Sequence, residues 1–218
     1  MIVLALDTAL EACSAAVTDG ERVRAVRSEV MTRGHQERLG PLIREVMDDA
    51  GVGFPQLGRI GVTVGPGSFT GLRVGLAFAK GLGFALGRPV IGVGTLESLA
   101  ASTDGERVAA VVDARRGQVW MQMFAGGRPL TAPEALEPDL VEARLSAILG
   151  GAPCTLVGSG AVMVSTLPGA TRDSRSSPDP VALARLAAGA PEPIGAPRPL
   201  YLRAPDAKLP GGRAPGAA

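Results

Sequence analysis

Two stretches far apart in the chain repeat one pattern. "MIVLALDTALEACSAAV" (1–17) and "RVAAVVDARRGQVWMQMF" (107–124) each run from apolar residues to an Asp, a tight turn and a returning apolar run. A run that is apolar throughout, rather than alternating, marks a strand buried on both faces. Such a strand needs cover on either side, and helical patterns follow each copy. The pair therefore predicts an α/β chain of two similar lobes, each built on its own sheet. The junction falls near 102–105. That gives a first lobe over 1–104, a second over 105–203 and a flexible tail over 204–218, rich in Pro and Gly.

Within the first copy, Asp19-Gly20 between apolar runs is a hairpin signal. In "HQERLGPLIREVMDDAG" (35–51), Leu39, Leu42, Ile43, Val46 and Met47 recur at helical spacing, with Pro41 as a kink or a start and Gly51 as a stop. "RIGVTVG" (59–65) and "PVIGVG" (89–94) read as short buried strands, and "TLESLAAS" (95–102) as a short helix that Thr95 could cap. Further on, 139–149 and 179–189 are helical and 154–161 is a strand running into a Gly-rich turn. In the Pro-rich remainder, only "LYLR" (200–203) has the composition to dock.

Composition excludes several functions. Basic residues number 22 against 21 acidic, for a net charge of +1, and the longest basic run is Arg115-Arg116. That is not the footprint of a chain that binds nucleic acid by itself. The N-terminus has no basic leader, and the apolar region 74–100 is broken by Lys80, Arg88, Pro89 and Glu97, so no signal peptide or membrane span is expected. Cys13 and Cys154 form no paired motif, which fits buried thiols in a reducing cytoplasm. His35 is the only histidine, too few for a multi-histidine metal site, and no Gly-x-Ser-x-Gly elbow is present.

The most informative segment is "GPGSFTGLRVGLAFAKGLGFALG" (65–87). Its opening loop joins a strand to a helix, where backbone amides favour anions. The spacing of Gly65, Gly67 and Gly71 matches neither a P-loop nor a dinucleotide fingerprint, and Pro66 removes a donor. Phosphate binding and a strained glycine turn both remain open, with the turn favoured. Asp7 and Asp113 pose the same choice between a metal–phosphate ligand and a carboxylate that holds turn amides. At 100° per residue, the apolar side chains of 70–86 spread almost all round, leaving a narrow stripe of Arg73 and Lys80. Small residues recur every fourth position at Gly71, Gly75, Ala79, Gly83 and Gly87, a row that admits close approach of another element. This helix needs burial on two sides, within its own fold or partly under a partner chain.

Taken with "GHQERLGPLI", "VVDARRGQVW" and "PLYLRAPDAK", the 65–99 block closely resembles the bacterial TsaB (YeaZ) family. The resemblance implies an actin-like fold of the sugar-kinase and Hsp70 type, ribonuclease H-like in each lobe. It implies a cytoplasmic, non-catalytic subunit that works with TsaD and TsaE to make N6-threonylcarbamoyladenosine at position 37 of tRNAs reading ANN codons. No cofactor is expected on this chain alone; ATP and a metal ion belong to the partner subunits, and tRNA is met only through the complex. In TsaD a His-x-x-x-His pair holds the metal, and Thr95 and Leu99 stand at those places here. Asp7, Thr8, Gly65, Gly67, Ser68 and Asp113 match a remnant of the phosphate loops. The resemblance places the TsaD interface, or a homodimer interface when TsaD is absent, on Leu39, Ile43, Val46, Leu72, Arg73, Leu76, Phe78 and Lys80. The competing class is a free-standing enzyme, either an actin-like ATPase or a glycoprotease-like peptidase.

Overall fold

The computed structural model describes residues 1–164 and 167–202. The tail expected over 204–218 lies outside them. Two mixed sheets form the frame. The first contains β1 (Ile2–Asp7), β2 (Ala12–Asp19), β3 (Arg22–Val30), β4 (Arg59–Thr63) and β5 (Val90–Val93), in the order β3-β2-β1-β4-β5. β1 pairs antiparallel with β2 and parallel with β4. The second is built around β6 (Arg107–Arg115) and β7 (Gln118–Ala125), with β8 (Arg128–Pro129) and β9 (Glu134–Leu136) beside β7, and β10 (Cys154–Val157) and β11 (Ala170–Asp173) beyond β6. β6 repeats the pairing of β1: antiparallel to the strand after it and parallel to β10. The sequence repeat is thus a repeat of topology.

The helices are α1 (His35–Ala50), α2 (Phe69–Leu86), α3 (Thr95–Ala100), α4 (Pro138–Leu149) and α5 (Pro180–Gly189). β1 shows why its run is apolar throughout. Leu4 and Leu6 pack with Leu39, Ile43 and Leu76 beneath α1 and α2, while Val3 and Ala5 pack with Leu183 and Ala187 of α5. α4 covers one face of the second sheet and α3 the other. α1 runs through Pro41 without interruption and ends at Gly51, whose φ of 63° requires a left-handed residue. Arg38 ties α1 to the sheet edge by pairing with both Glu29 and Glu45, and it holds both carboxylates below their usual range.

Two expectations are corrected. A cut at 104/105 separates the sheets but not the lobes. α3, from the first half, packs on β6 and β7, and α5, from the second half, packs on β1, β4 and β5. Each half supplies one layer of the other's core. Thr95 does not cap its helix either. Gly94 is the N-cap, and the Thr95 hydroxyl accepts from Gly65 N at 3.1 Å while Thr95 N donates to Gly65 O at 2.9 Å. By length and composition α2 alone among the described helices could cross a membrane. Here it lies across the first sheet, with Leu72, Leu76 and Ala79 buried.

Candidate functional site

Two places follow from this frame: the cleft where the two hairpin turns meet, and the outer surface of α1 and α2.

At the cleft, Asp7 and Asp113 close equivalent turns. Ala9 N donates to Asp7 Oδ1 at 2.9 Å, and Arg115 N donates to Asp113 Oδ1 at 2.7 Å. Both carboxylates hold the amide two residues on, so the turn-holding alternative describes them. Asp7 is fully buried, and the Thr63 hydroxyl donates to its Oδ1 at 2.5 Å while Oδ2 has no partner. Burial pushes its carboxyl above the usual range, against the pull of the Thr63 and Ala9 hydrogen bonds. Asp113 lines a cavity of about 370 Å³ with His35, Ser68, Trp120 and Arg115, and Arg115 also pairs with Glu11 across the lobes.

The glycine loop packs closely on its own chain. Ser68 N donates to Ala9 O at 2.7 Å, and Ser68 Oγ caps α2 by accepting from Gly71 N at 3.3 Å. A Cβ at Gly67 would stand 2.5 Å from Ala9 O, and one at Gly71 2.0 Å from Thr8 O. Thr8 is buried, and its hydroxyl donates to Gly71 O at 2.8 Å. The Thr8–Ala9 turn lies against Gly67, Ser68 and Gly71. Gly67 and Gly71 make room for that close approach, and Ser68 also lines the cavity at the cleft.

The helical surface is the more accessible candidate. The row of small residues on α2 faces inward: Gly71 and Gly75 meet Thr8, Ala79 is buried, and Gly83 meets Val90. The opposite side is open. Phe69, Thr70, Arg73, Ala77, Gly81 and Phe84 are exposed, Phe84 at 91%. Between α1 and α2 runs a groove of about 500 Å³, walled by Gln36, Phe69, Thr70, Arg73, Val74, Ala77 and Phe78, with Leu39 as its floor. Gly40 is where α1 comes closest, a Cβ there lying 3.9 Å from the Phe78 ring.

The interface residues named from sequence therefore divide. Ile43, Val46, Leu72 and Leu76 are buried in the core of their own lobe, and Leu39 is 1% exposed at the groove floor. These five are buried within their own chain and cannot form an open docking face. Arg73 is exposed, and Phe78 and Lys80 are half-buried. Sequence reasoning missed Phe69, Ala77 and Phe84. They lie on the side of the helix away from the small-residue row, and that row was the available signal.

Residues 21–130 match the family described as TsaD, tRNA N6-adenosine threonylcarbamoyltransferase. The chain is 33% identical over 159 residues to the tRNA threonylcarbamoyladenosine biosynthesis protein TsaB of Escherichia coli, covering 69% of this chain and 68% of that protein. The chain belongs to the TsaB family. A crystal structure from Pseudomonas aeruginosa, described as a protein with similarity to peptidase YEAZ, superposes with a TM-score of 0.80 at 32% identity, over 93% of this chain and 99% of that one. Component A of (R)-2-hydroxyglutaryl-CoA dehydratase from Acidaminococcus fermentans shares the fold at 10% identity, with a TM-score of 0.53 over 86% and 96% of the two chains. TsaB proteins thus sit on an actin-like frame. In this member the Thr95 hydroxyl is spent on Gly65, and Leu99 is fully buried against β6.

Proposed function

We propose that this chain is the non-catalytic partner subunit of the cytoplasmic complex that makes N6-threonylcarbamoyladenosine in tRNA, and that it docks TsaD through the outer face of α1 and α2. The uncovered face of α2 carries this reading. An 18-residue helix buries one side on its sheet and leaves an apolar side, including a 91%-exposed Phe84, largely without cover among the described residues. Contiguous exposed apolar surface of that kind marks an interaction site. Its charges are Arg73 and Lys80 with no acid, and the chain carries none between Asp49 and Glu97, which suits an apolar partner face bordered by acids. The family match itself is to TsaD, so the partner would present the same helix pair and two like folds would meet face to face. A second copy of this chain would take that place when TsaD is absent. TsaE, ATP, the metal ion and tRNA are met through the assembled complex.

The non-catalytic part of the reading has its own support. Asp7 is sealed from the cleft and Asp113 is committed to its turn. His35 Nε2 has no hydrogen-bond partner, and Ser68 is occupied as a helix cap. Both thiols are buried.

The test is Ala77→Glu, at an exposed helical position whose change leaves the core intact. The variant should melt like the native chain and fail to co-purify with co-expressed TsaD. Normal co-purification would remove this face from the interface.

A further inference from the structure

After α5 the chain returns across the first sheet and ends its described course on α2. Pro197 presses on Gly92, where a Cβ would come within 2.7 Å of Pro197 Cβ. Leu200 N donates to Val64 O at 2.7 Å, and Leu200 O lies over Gly65, where a Cβ would be 2.5 Å away. The backbone of this strap is therefore fixed by a hydrogen bond and by two glycines that make room for it. Tyr201 follows directly. Its ring centroid is 5.2 Å from that of Phe69, at 37° between planes. Its hydroxyl accepts from Arg73 Nε at 3.3 Å, and the Arg73 guanidinium carbon lies 3.7 Å from the Phe69 ring centroid.

Phe69 and Arg73 both wall the α1–α2 groove. On the exposed first turn of a helix, side chains of this size sample several rotamers, and freezing them on association weakens binding. Here the three side chains close a cluster in which each restrains the other two. Ring packing fixes Phe69, while a cation–π contact and a hydrogen bond fix Arg73. The restraint comes from a strap more than a hundred residues away in sequence, and Tyr201 itself does not wall the groove.

We propose that Tyr201 is a positioning residue for assembly: the C-terminal strap pre-sets Phe69 and Arg73 in the geometry that the partner subunit requires. This rests on the reading of the α1–α2 face as the TsaD-docking face, and the experiment separates the two. Binding of the full chain to TsaD is measured by calorimetry for the native protein, Tyr201→Ala, Tyr201→Phe, Ala77→Glu, the double variant Phe69→Ala/Arg73→Ala, and that double variant combined with Tyr201→Ala. Thermal melting serves as the control for folding. Tyr201→Ala should keep the native melt and weaken binding about tenfold, the scale set by two side chains that must now be frozen on docking. Tyr201→Phe keeps the ring contact and should recover most of that loss. In the Phe69→Ala/Arg73→Ala background, Tyr201→Ala should have no further effect, because nothing is left for it to position. Native-like binding by Tyr201→Ala overturns the proposal. An undiminished effect in the double background does so too, because Tyr201 would then touch the partner directly. If Ala77→Glu binds normally, the docking face itself is wrong; if Ala77→Glu fails to bind and Tyr201→Ala does not weaken binding, only the strap's role is lost.

Discussion

Glycine-to-alanine changes in α2 should have opposite signs on its two faces. In an exposed helix interior, Ala is favoured over Gly by about 1 kcal/mol. Gly81 is exposed, and a Cβ built there meets nothing within 4 Å. Gly81→Ala should therefore gain most of that preference. Gly71 carries the same propensity term, but its Cβ would lie 2.0 Å from Thr8 O. That oxygen is backbone of a buried residue and cannot rotate aside. Overpacking of this kind costs typically 1–3 kcal/mol, occasionally more, and a contact this short with an immobile atom belongs at the upper end. It also displaces the Gly71 carbonyl from the Thr8 hydroxyl, now 2.8 Å away. The clash outweighs the propensity gain, leaving Gly71→Ala about 2 kcal/mol or more less stable. For a chain of this length each kcal/mol moves the melting temperature by roughly 2–4 °C. Calorimetric melts of the two variants should then move in opposite directions, Gly81→Ala upward by a few degrees and Gly71→Ala downward by roughly 4–8 °C or more. Shifts of the same sign would refute the claim that the small-residue row exists for close approach to the Thr8–Ala9 turn.

Three further outcomes follow from the buried and strained groups. The raised Asp7 pKa means that the folded state holds its proton more tightly than the unfolded chain does, so this group favours folding most below the ordinary Asp value near about 4 and loses that advantage as pH rises through the folded value; the stability of Asp7→Asn relative to the native chain should climb across that window and then level off, and a flat difference in denaturant midpoints counts against it. Burial pushes the Cys13 thiol up to about 11 and raises Cys154 as well, so neither should react with a disulfide reagent at about pH 8 until denaturant is added, in contrast to an ordinary thiol near about 8.5. Arg115 sits at φ 64°, a conformation that costs a non-glycine residue about 1–2 kcal/mol, while its exposed pair with Glu11 is worth about 0–1 kcal/mol; Arg115→Gly should leave the melting temperature unchanged or slightly higher, and a drop of more than a few degrees would show that the cross-lobe pair does more than a surface ion pair.

What could be read from the sequence, and what could not, divides along the range of the interactions. The paired strand–Asp–turn runs, the Asp19-Gly20 hairpin and the glycine stop at 51 are set within a few residues, and each took the form its local chemistry dictates. The destinations of α3 and α5 are not local. Both have an apolar stripe, and nothing in a stripe says which of two similar sheets it will cover. The same holds for Leu200 and Tyr201, whose partners Val64, Phe69 and Arg73 are more than a hundred residues away.

The orientation of α2 lies between these cases. With apolar side chains all round, the large residues do not tell inside from outside, and of those the resemblance placed at the interface, Leu72 and Leu76 are buried. The small ones do tell. A glycine in a helix interior weakens it, so a row of small residues fits a side that another part of the chain approaches closely, here the Thr8 turn at Gly71 and Gly75 and Val90 at Gly83. The row 71, 75, 79, 83 therefore fixes the inward direction before any coordinates are known. Gly75 and Ala77 are 200° apart at 100° per residue, so Ala77 must point away from the sheet. The face open to a partner is then the one carrying Arg73, Ala77, Gly81 and Phe84, and it is found by asking where the helix can least tolerate a side chain and looking to the other side.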